Sequence, residues 1–330
     1  MTAPVVAFFN NKGGVGKTSL VFHIGWMAAE LGLRVLFADL DPQANLTAAF
    51  LPEERLEEIW PIDGDSDTVF GAVRPLLAVG GLRDVRPLAV GEGRYLLAGD
   101  IALSRFEDEL ADSWSRCLGG NERAFHITTA LWRVITRCAA EISADVILVD
   151  VGPSLGALNR AALVAADDVV IPLAPDLFSV QGLRNLGPTL RTWRAGWQQR
   201  AAQNPNSSLS LPTGSMRAAG YILLQHGIRL GKPTRAFQRW MDRVPAVYRS
   251  SVLDEPGGVV PRIEDDELCL AQLKNYASLM PMAQDARKPV FALTAADGAF
   301  GGHQQAAQRA FSDFRQLTRQ VLGATGVLVG

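Results

Sequence analysis

The residues whose types and spacing could do chemistry are concentrated in residues 10–19, which read Asn-Asn-Lys-Gly-Gly-Val-Gly-Lys-Thr-Ser. An apolar segment, Val5–Phe9, precedes them, and a helical pattern begins near Thr18. Glycines let the backbone curl until its N–H groups point inward, and a following helix N-terminus adds positive potential. Lys17 can reach the β- and γ-phosphates of a nucleotide, and the Thr18 hydroxyl can ligate Mg²⁺. The sequence of strand, glycine-rich loop and helix therefore predicts a phosphate-binding loop.

Three acidic residues stand at the ends of predicted strands. Asp39 and Asp41 follow an apolar run that starts at Val35, and Asp150 follows Val146-Ile-Leu-Val. A carboxylate in such a place also serves as a helix cap or lies in a solvated turn. In open parallel sheets, however, ligands bind beyond the carboxyl ends of the strands, and the first strand here carries a phosphate loop. Asp150 has the arrangement in which a carboxylate holds Mg²⁺ directly or through water.

Lys12 stands where the ordinary phosphate-loop pattern has its first glycine. This extra lysine is the hallmark of the deviant Walker A loop, and the chain therefore resembles the ParA/Soj/MinD family of ATPases, closest to its ParA/Soj chromosome- or plasmid-partitioning branch. Residues 39–43, Asp-Leu-Asp-Pro-Gln, resemble the family's switch I signature. Residues 150–156, Asp-Val-Gly-Pro-Ser-Leu-Gly, resemble its switch II motif, with Gly152 in place of a proline. Later family landmarks are matched at residues 166–173, 181–183, 260–262 and 287–290.

The resemblance implies an enzyme that hydrolyses ATP to ADP and phosphate, slowly and with stimulation by a partner. ATP would be bound by Lys12, Gly13, Gly14, Val15, Gly16, Lys17, Thr18 and Ser19, with Pro261 and Arg262 near the base. Mg²⁺ would be held by Thr18, Asp39 and Asp150. The catalytic residues would be Lys12, Lys17 and Asp41. Asp41 would orient the attacking water, and Lys12 would cross the interface of an ATP-dependent homodimer to the other subunit's phosphates.

Strands that alternate with helical patterns predict an α/β fold, a doubly wound and mainly parallel sheet with helices on both faces, as in P-loop NTPases. We predict one domain over residues 1–330 and a closing amphipathic helix at about 302–322. The 109 residues from Asp41 to Asp150 are a long gap for the family and imply an insertion within about 52–125. Residues 52–67 are predicted to form a surface loop. Helices are predicted over Leu103–Trp114, Phe125–Ile142, Val180–Gln199 and Pro233–Val244, the third with a kink or break at Gly187-Pro188.

The net charge of −2 hides an uneven distribution of charge. Residues 1–180 contain 14 Lys and Arg against 24 Asp and Glu, whereas residues 181–330 contain 18 against 10. Within residues 184–249 there are 11 basic residues and one acidic residue. Such an excess is typical of a surface that binds a polyanion, so nonspecific DNA is the predicted partner, and the candidate contacts are Arg191, Arg194, Arg235 and Arg239. The alternative is a solvated basic face, with the tryptophans of this region in the core.

Two alternatives to DNA binding follow from the same motifs. An apolar stripe from Ala307 to Leu322, with arginines nearby, would suit a MinD-like membrane anchor, although its helical spacing favours packing on the sheet. A nucleotide-dependent protein scaffold is the other alternative. No apolar run of about 18 residues occurs, and the N-terminus enters a strand directly, so a cytoplasmic protein is expected, associated with the nucleoid if it binds DNA. The resemblance also implies a ParB-like activator or a cargo adaptor.

Overall fold

The computed structural model describes residues 2–61, 65–224, 228–229, 232–233, 235–255, 257, 259–274, 276 and 278–328. Within residues 228–237, the side chains of 228, 229, 232, 233 and 235–237 are not part of that description.

The centre of the fold is an eight-stranded sheet in the order β10-β7-β6-β1-β5-β2-β4-β3. Its strands are β1 (Val5–Phe8), β2 (Val35–Asp39), β3 (Leu88–Gly91), β4 (Arg94–Leu97), β5 (Val146–Asp150), β6 (Asp168–Leu173), β7 (Arg217–Leu224) and β10 (Cys269–Leu273). Every pairing is parallel except that of β3 with β4. A separate two-stranded ribbon is formed by β8 (Ile228–Arg229) and β9 (Lys232–Pro233). The predicted α/β class with a mainly parallel sheet is confirmed.

Helices cover both faces of this sheet. They are α1 (Lys17–Glu30), α2 (Asn45–Phe50), α3 (Glu53–Ile59), α4 (Val69–Val73), α5 (Glu107–Arg116), α6 (Glu122–Thr128), α7 (Ala130–Glu141), α8 (Ala157–Val164), α9 (Leu177–Ala201), α10 (Arg235–Met241), α11 (Val244–Val247), α12 (Met280–Ala286) and α13 (Gly302–Ala324). Short 3₁₀ turns lie at Arg74–Leu77, Ile101–Phe106, Cys117–Gly119, Ile263–Asp265, Val290–Ala292 and Ala295–Asp297, and a π-helical turn at Tyr248–Leu253.

Alternate residues of each central strand point into two different hydrophobic cores. In β1, Val5 and Ala7 belong to one cluster of buried residues, whereas Val6 and Phe8 belong to the other. A strand buried on both faces reads as an uninterrupted apolar run, which is why β1, β2 and β5 could be recognised in the sequence. The segment predicted as an insertion adds β3 and β4 to one edge of the sheet, and its buried residues join these same two cores.

Some predicted elements have different bounds in the structure. Residues 53–59, predicted to be loop, form α3, in which Glu53 and Glu54 occupy the first turn, where acidic side chains stabilise a helix. The predicted helix over 125–142 is two helices that meet at Thr129. The Thr129 hydroxyl donates to the Phe125 carbonyl, which also accepts from the Thr129 backbone N–H. The helix α9 is continuous through Pro188, so the predicted break does not occur.

The last helix, α13, packs on the sheet as its spacing predicted. Its inward face is buried at Ala307, Ala310, Phe314, Leu317, Val321 and Leu322, within the core that also contains α1. Phe311, at 39% exposure, is the member of the predicted stripe that faces outward. In the described part of the chain, no helix is both long and apolar enough to span a bilayer.

Candidate functional site

The glycine-rich loop and the strand ends enclose a cavity of about 680 Å³ at the carboxyl edge of the sheet. Gly14 and Gly16 have φ values of 73° and 72°, in the left-handed region that glycine adopts without strain, so these two positions allow the loop to curl ahead of α1. The residues that line the cavity are Gly13, Gly14, Val15, Gly16, Lys17, Thr18, Ser19, Phe22, His23, Asp41, Gln43, Asn45, Ala48, Ala49, Pro153, Met280, Ala283, Gln284 and Lys288. The structure thus brings together the loop predicted to bind phosphate and one of the three predicted acids.

Lys17 opens α1 and is buried beneath the loop. Its Nζ donates to the carbonyl oxygens of Asn10 at 3.2 Å and Lys12 at 3.5 Å. Burial lowers the pKa of Lys17, while the nearby carboxylates of Asp150 and Asp41 act in the opposite direction. An ammonium held at the floor of a cavity by two weakly bound carbonyls is available to an anionic ligand.

The Thr18 hydroxyl donates to Asp150 Oδ2 at 2.6 Å, while Asp150 Oδ1 is buried without a hydrogen-bond partner among the described residues. Burial raises the pKa of Asp150, and the neighbouring Asp39 raises it further. A buried carboxylate oxygen that lacks a donor, beside a hydroxyl, fits a hard cation such as Mg²⁺. The described residues contain no group of three or more His, Cys, Asp or Glu side chains placed to hold a metal. Mg²⁺ with nucleotide needs only one or two protein ligands, since phosphates and waters supply the rest.

Asp41 and Asp39 have different surroundings although they are two residues apart. Asp41 lines the cavity, and its Oδ1 accepts from the Gln43 backbone N–H at 3.0 Å. Asp39 lies opposite Asp150 in the sheet and is fully buried. Its Oδ2 accepts from the backbone N–H of Thr47 at 2.8 Å and from the Thr47 hydroxyl at 2.7 Å, so it lies behind the cavity wall rather than in it. Asp39 is therefore not among the residues that line the cavity, and its predicted Mg²⁺ role stays a prediction.

Lys12 does not line the cavity in the described chain. Its Nζ forms an ion pair with Asp176, which also caps α9 by accepting from the backbone N–H of Ser179. The ammonium lies 5.9 Å from the centre of the Phe178 ring, and Phe178 is 72% exposed. The lysine that the sequence singles out is thus held at the protein surface, beside an exposed aromatic ring.

The end of the cavity away from the phosphate loop is formed by α1 and α12. Phe22 and Met280 contribute apolar surface, and Gln284 and Lys288 contribute polar groups. Pro261 and Arg262, predicted to lie near the base, are not among the lining residues and instead precede a 3₁₀ turn.

His23 lies in the same wall and is fully buried. Its Nδ1 lies 2.7 Å from the Ser19 carbonyl and its Nε2 accepts from the Val290 backbone N–H at 3.1 Å, which together favour the neutral form protonated at Nδ1. The imidazole stacks on Phe314 with ring centres 4.7 Å apart. Burial lowers the pKa of His23 to about 4.

Two of the four predicted DNA contacts have internal partners instead. Arg191 donates to the Ser251 carbonyl at 2.6 Å, and Arg194 donates to the carbonyls of Ser215 and Met216 at 2.6 and 2.7 Å. These internal hydrogen bonds leave each half-buried guanidinium group with fewer free N–H groups, and the assignment of Arg191 and Arg194 as DNA contacts stays a prediction. Arg239 is exposed, as predicted for a contact, whereas the side chain of Arg235 lies outside the described residues.

Trp193 and Trp197 are core residues, as the alternative expected, whereas Trp240 is half-buried with the Arg243 guanidinium 4.9 Å from its ring centre. Trp193 and Trp197 are 9% and 0% exposed, and Trp197 also donates to the Pro212 carbonyl at 3.0 Å. Exposed arginines among the described side chains of residues 184–249 are Arg184, Arg217, Arg239 and Arg243, and Arg217 is paired with Asp168. Among these described side chains, the exposed basic surface is therefore smaller than the basic excess counted in the sequence.

Sequence reasoning missed several residues of the site. Asn45, Met280 and Gln284 line the cavity without belonging to any of the predicted motifs, and Asp176 lies between the landmarks at residues 166–173 and 181–183. Gln43 also lines the cavity, and it stood in the switch I signature at residues 39–43. Lys288 stood in one of the quoted landmarks, residues 287–290, which was the available signal for it.

Comparison with known proteins places this site in a family. A family model described as an AAA domain matches residues 3–201. The chain is 31% identical over 190 residues to the sporulation initiation inhibitor protein Soj of Bacillus subtilis, which covers 57% of this chain and 64% of that protein. It is 30% identical over 195 residues to the chromosome-partitioning ATPase Soj of Thermus thermophilus, with 59% and 64% covered. The match thus spans slightly less than two thirds of each relative's length.

Solved structures share the fold over nearly the whole chain. A protein of Corynebacterium diphtheriae superposes with a TM-score of 0.68 and 24% identity, covering 97% of this chain and 98% of its own. A complex of Cyanothece McdA with ATP superposes with a TM-score of 0.63 and 15% identity, covering 99% and 98%. At these identities the likeness establishes the fold alone.

Proposed function

The chain belongs to the ParA/Soj/MinD family of deviant Walker A ATPases, on its partitioning branch, and we propose that it is an ATP-dependent switch that positions or segregates DNA or another cargo. The observation that carries this proposal is the convergence of Lys17, the Thr18–Asp150 pair and Asp41 on one cavity. ATP binding would promote a homodimer that binds DNA nonspecifically. Hydrolysis, stimulated by a ParB-like protein or a cargo adaptor, would return the protein to its unbound state.

The residues of the cavity have separable tasks in this proposal. Loop amides and Lys17 bind the phosphates, and Thr18 and Asp150 would hold Mg²⁺. Bound Mg²⁺ would neutralise charge on the β- and γ-phosphate oxygens. Asp41, held by the Gln43 amide, orients the attacking water. The base occupies the end lined by Phe22, where an apolar wall and the polar Gln284 can sandwich and hydrogen-bond a purine.

Lys12 would act on the other subunit of the dimer. In this chain it is paired with Asp176 and lies at the surface. A phosphate from a second copy would have to replace Asp176 as its partner, so dimerisation would depend on the nucleotide's terminal phosphate. The exposed Phe178 and Leu177, at 72% and 44% exposure, border Lys12 and offer apolar area for such an interface.

Two substitutions distinguish binding of ATP from its hydrolysis. Asp41→Ala should retain ATP affinity and lose turnover, since it removes the group that orients water but no phosphate contact. Lys17→Ala should lose ATP affinity, since it removes the buried ammonium. Equilibrium binding of a fluorescent ATP analogue and phosphate release measure the two effects. Unchanged turnover in Asp41→Ala would refute the assignment of its role.

The surface to which the switch binds is tested with DNA and lipid together. We expect retention of nonspecific duplex DNA with ATP or a nonhydrolysable analogue but not with ADP, and retention that falls as salt rises. The double substitution Arg239→Glu, Arg243→Glu should weaken the retention of DNA. It should also lower the slope of log affinity against log salt concentration by about 1 for each lost phosphate contact. Arg194→Ala is the matched control, because its guanidinium binds carbonyls in the fold. Binding to anionic vesicles alone would contradict the DNA proposal.

A further inference from the structure

The loop that joins Asp150 to α8, residues 151–156, touches the proposed catalytic site. Pro153 lines the cavity, and a Cβ placed on Gly152 would lie 3.2 Å from Asp41 Oδ1, so the loop backbone packs directly against the Asp41 carboxylate. Asn159 holds this loop from within α8, since its Nδ2 donates to the carbonyls of Gly152 at 2.8 Å and Ser154 at 2.7 Å. The position of α8 therefore sets the position of the loop beside Asp41.

The N-terminus of α8 receives its cap from a distant part of the chain. Gly156 is its N-cap residue, with no side-chain hydrogen bond, and its first turn contains no acidic residue. The carboxylate of Glu107, at the start of α5, accepts from the backbone N–H groups of Ala157 and Leu158, the latter at 2.9 Å. A charged acceptor at this place satisfies two N–H groups and favours the helix dipole.

Gly156 is the residue that admits this carboxylate. A Cβ built on Gly156 would lie 2.3 Å from Glu107 Oε1, a distance that real contacts do not reach. The backbone of Gly156 has an ordinary extended conformation, with φ of −79°, so the glycine is needed for the close approach of Glu107 rather than for a turn. The observed position of the Glu107 carboxylate therefore depends on the absence of a side chain at position 156.

The helix that carries Glu107 is itself fixed. Phe106 and Leu110 are 0% and 2% exposed. The guanidinium groups of Arg160 on α8 and Arg200 on α9 lie over the Trp114 ring, 4.4 and 4.1 Å from its centre. A change in the segment 52–125 would consequently be transmitted to α8 through Glu107.

We propose that Glu107 is a positioning residue for the ATPase reaction: it fixes the loop 151–156 beside Asp41 and thereby makes the segment 52–125 a determinant of the hydrolysis rate. This inference rests on the proposed ATPase function. Glu107 touches neither the cavity wall nor Asp41, so its effect is on the arrangement of the loop in the step after ATP has bound.

The test uses the full chain with Glu107→Gln, which keeps the shape of the side chain but removes its charge and one acceptor. We expect kcat for ATP to fall about tenfold, with KM for ATP and the dissociation constant for ADP within about twofold of wild type. Glu107→Asp keeps the charge on a side chain that is one methylene shorter. Its kcat should lie between those of wild type and Glu107→Gln. Asp108→Asn, at an exposed neighbour in the same helix turn, is the matched control and should behave as wild type.

A second measurement separates this inference from the proposed function. Hydrogen exchange of residues 151–158 should slow in wild type when an ATP analogue replaces ADP, and Glu107→Gln should abolish that difference. A kcat within twofold of wild type in Glu107→Gln, or a loss of ADP affinity and thermal stability in proportion to kcat, would overturn the positioning role. A wild-type protein that shows the exchange difference but no ATP turnover would refute the ATPase proposal and leave the coupling of Glu107 to the loop intact.

Discussion

His23 is expected to make the stability of the folded protein depend on pH between 4 and 6.5. Its imidazole is fully buried, and its Nε2 accepts from the Val290 N–H. Burial lowers its pKa to about 4, while the hydrogen bond to the Ser19 carbonyl acts in the opposite direction. In the unfolded chain the pKa is the ordinary 6.5. Between these values the unfolded state binds more protons than the folded state, so stability rises with pH across this window.

The magnitude follows from the two pKa values. Each pH unit within the window changes the free energy of unfolding by about 1.4 kcal/mol, so the His23 contribution lost between pH 6.5 and pH 4 is ~3 kcal/mol. The stabilising contribution of neutral His23 is retained above pH 6.5. It is lost completely only when the pH falls below the pKa of the folded state.

The perturbation is His23→Gln, whose amide can still accept from the Val290 N–H but does not titrate. At pH 7.5 the variant should be less stable than wild type by about 1–3 kcal/mol, because the stack on Phe314 and one hydrogen bond are lost. As pH falls to 4, the gap between wild type and variant should close by ~3 kcal/mol, since only wild type carries the penalty of protonation. Carboxylates titrate in both proteins and cancel in the difference.

The assay is urea unfolding at half-unit steps from pH 4 to pH 8 for wild type, His23→Gln and His303→Gln. His303 lies exposed on α13 and serves as the control for removal of an imidazole from the surface. A constant gap between wild type and His23→Gln over the whole range would refute the reasoning, because it would mean that the buried imidazole binds protons as readily as in the unfolded chain.

Four further substitutions, one of them a control, test the packing of α1 and α13, all by denaturant unfolding at pH 7.5. Leu317→Ala on the buried face of α13 should lower the free energy of unfolding by about 2–5 kcal/mol, and Gln316→Ala, its exposed neighbour, should change it little. Gly25→Ala should destabilise by about 1–3 kcal/mol, because its Cβ would lie 2.2 Å from Phe37 Cε1. Gly323→Ala, in a helix with nothing within 4 Å of the new Cβ, should stabilise by up to about 1 kcal/mol, and the same sign for both glycines would contradict this account.

Elements with a strong local pattern were predictable, and elements that depend on partners were not. The runs that form β2 and β5 are apolar throughout because both faces are buried, so they were identified to within a residue. The prediction of one helix over 125–142 failed at Thr129, and the predicted break at Pro188 does not occur, because α9 is continuous there. A Cβ at Gly187 would lie 1.9 Å from the Ser251 carbonyl, which shows how closely another segment packs against α9 at that point.

The sequence by itself determined the phosphate loop, the carboxyl-end acids and the α/β class, because each depends on residue type, on chain direction and on spacing within a few residues. Tertiary structure alone decided which charged side chains line the cavity and which bind other groups within the fold. Lys12 meets Asp176 across 164 positions of the chain, and Glu107 meets Ala157 across 50. The arginines 191 and 194 bind backbone carbonyls although their spacing suggested a phosphate surface. A buried carbonyl or N–H group must find a partner wherever packing places one, and local sequence does not encode that choice.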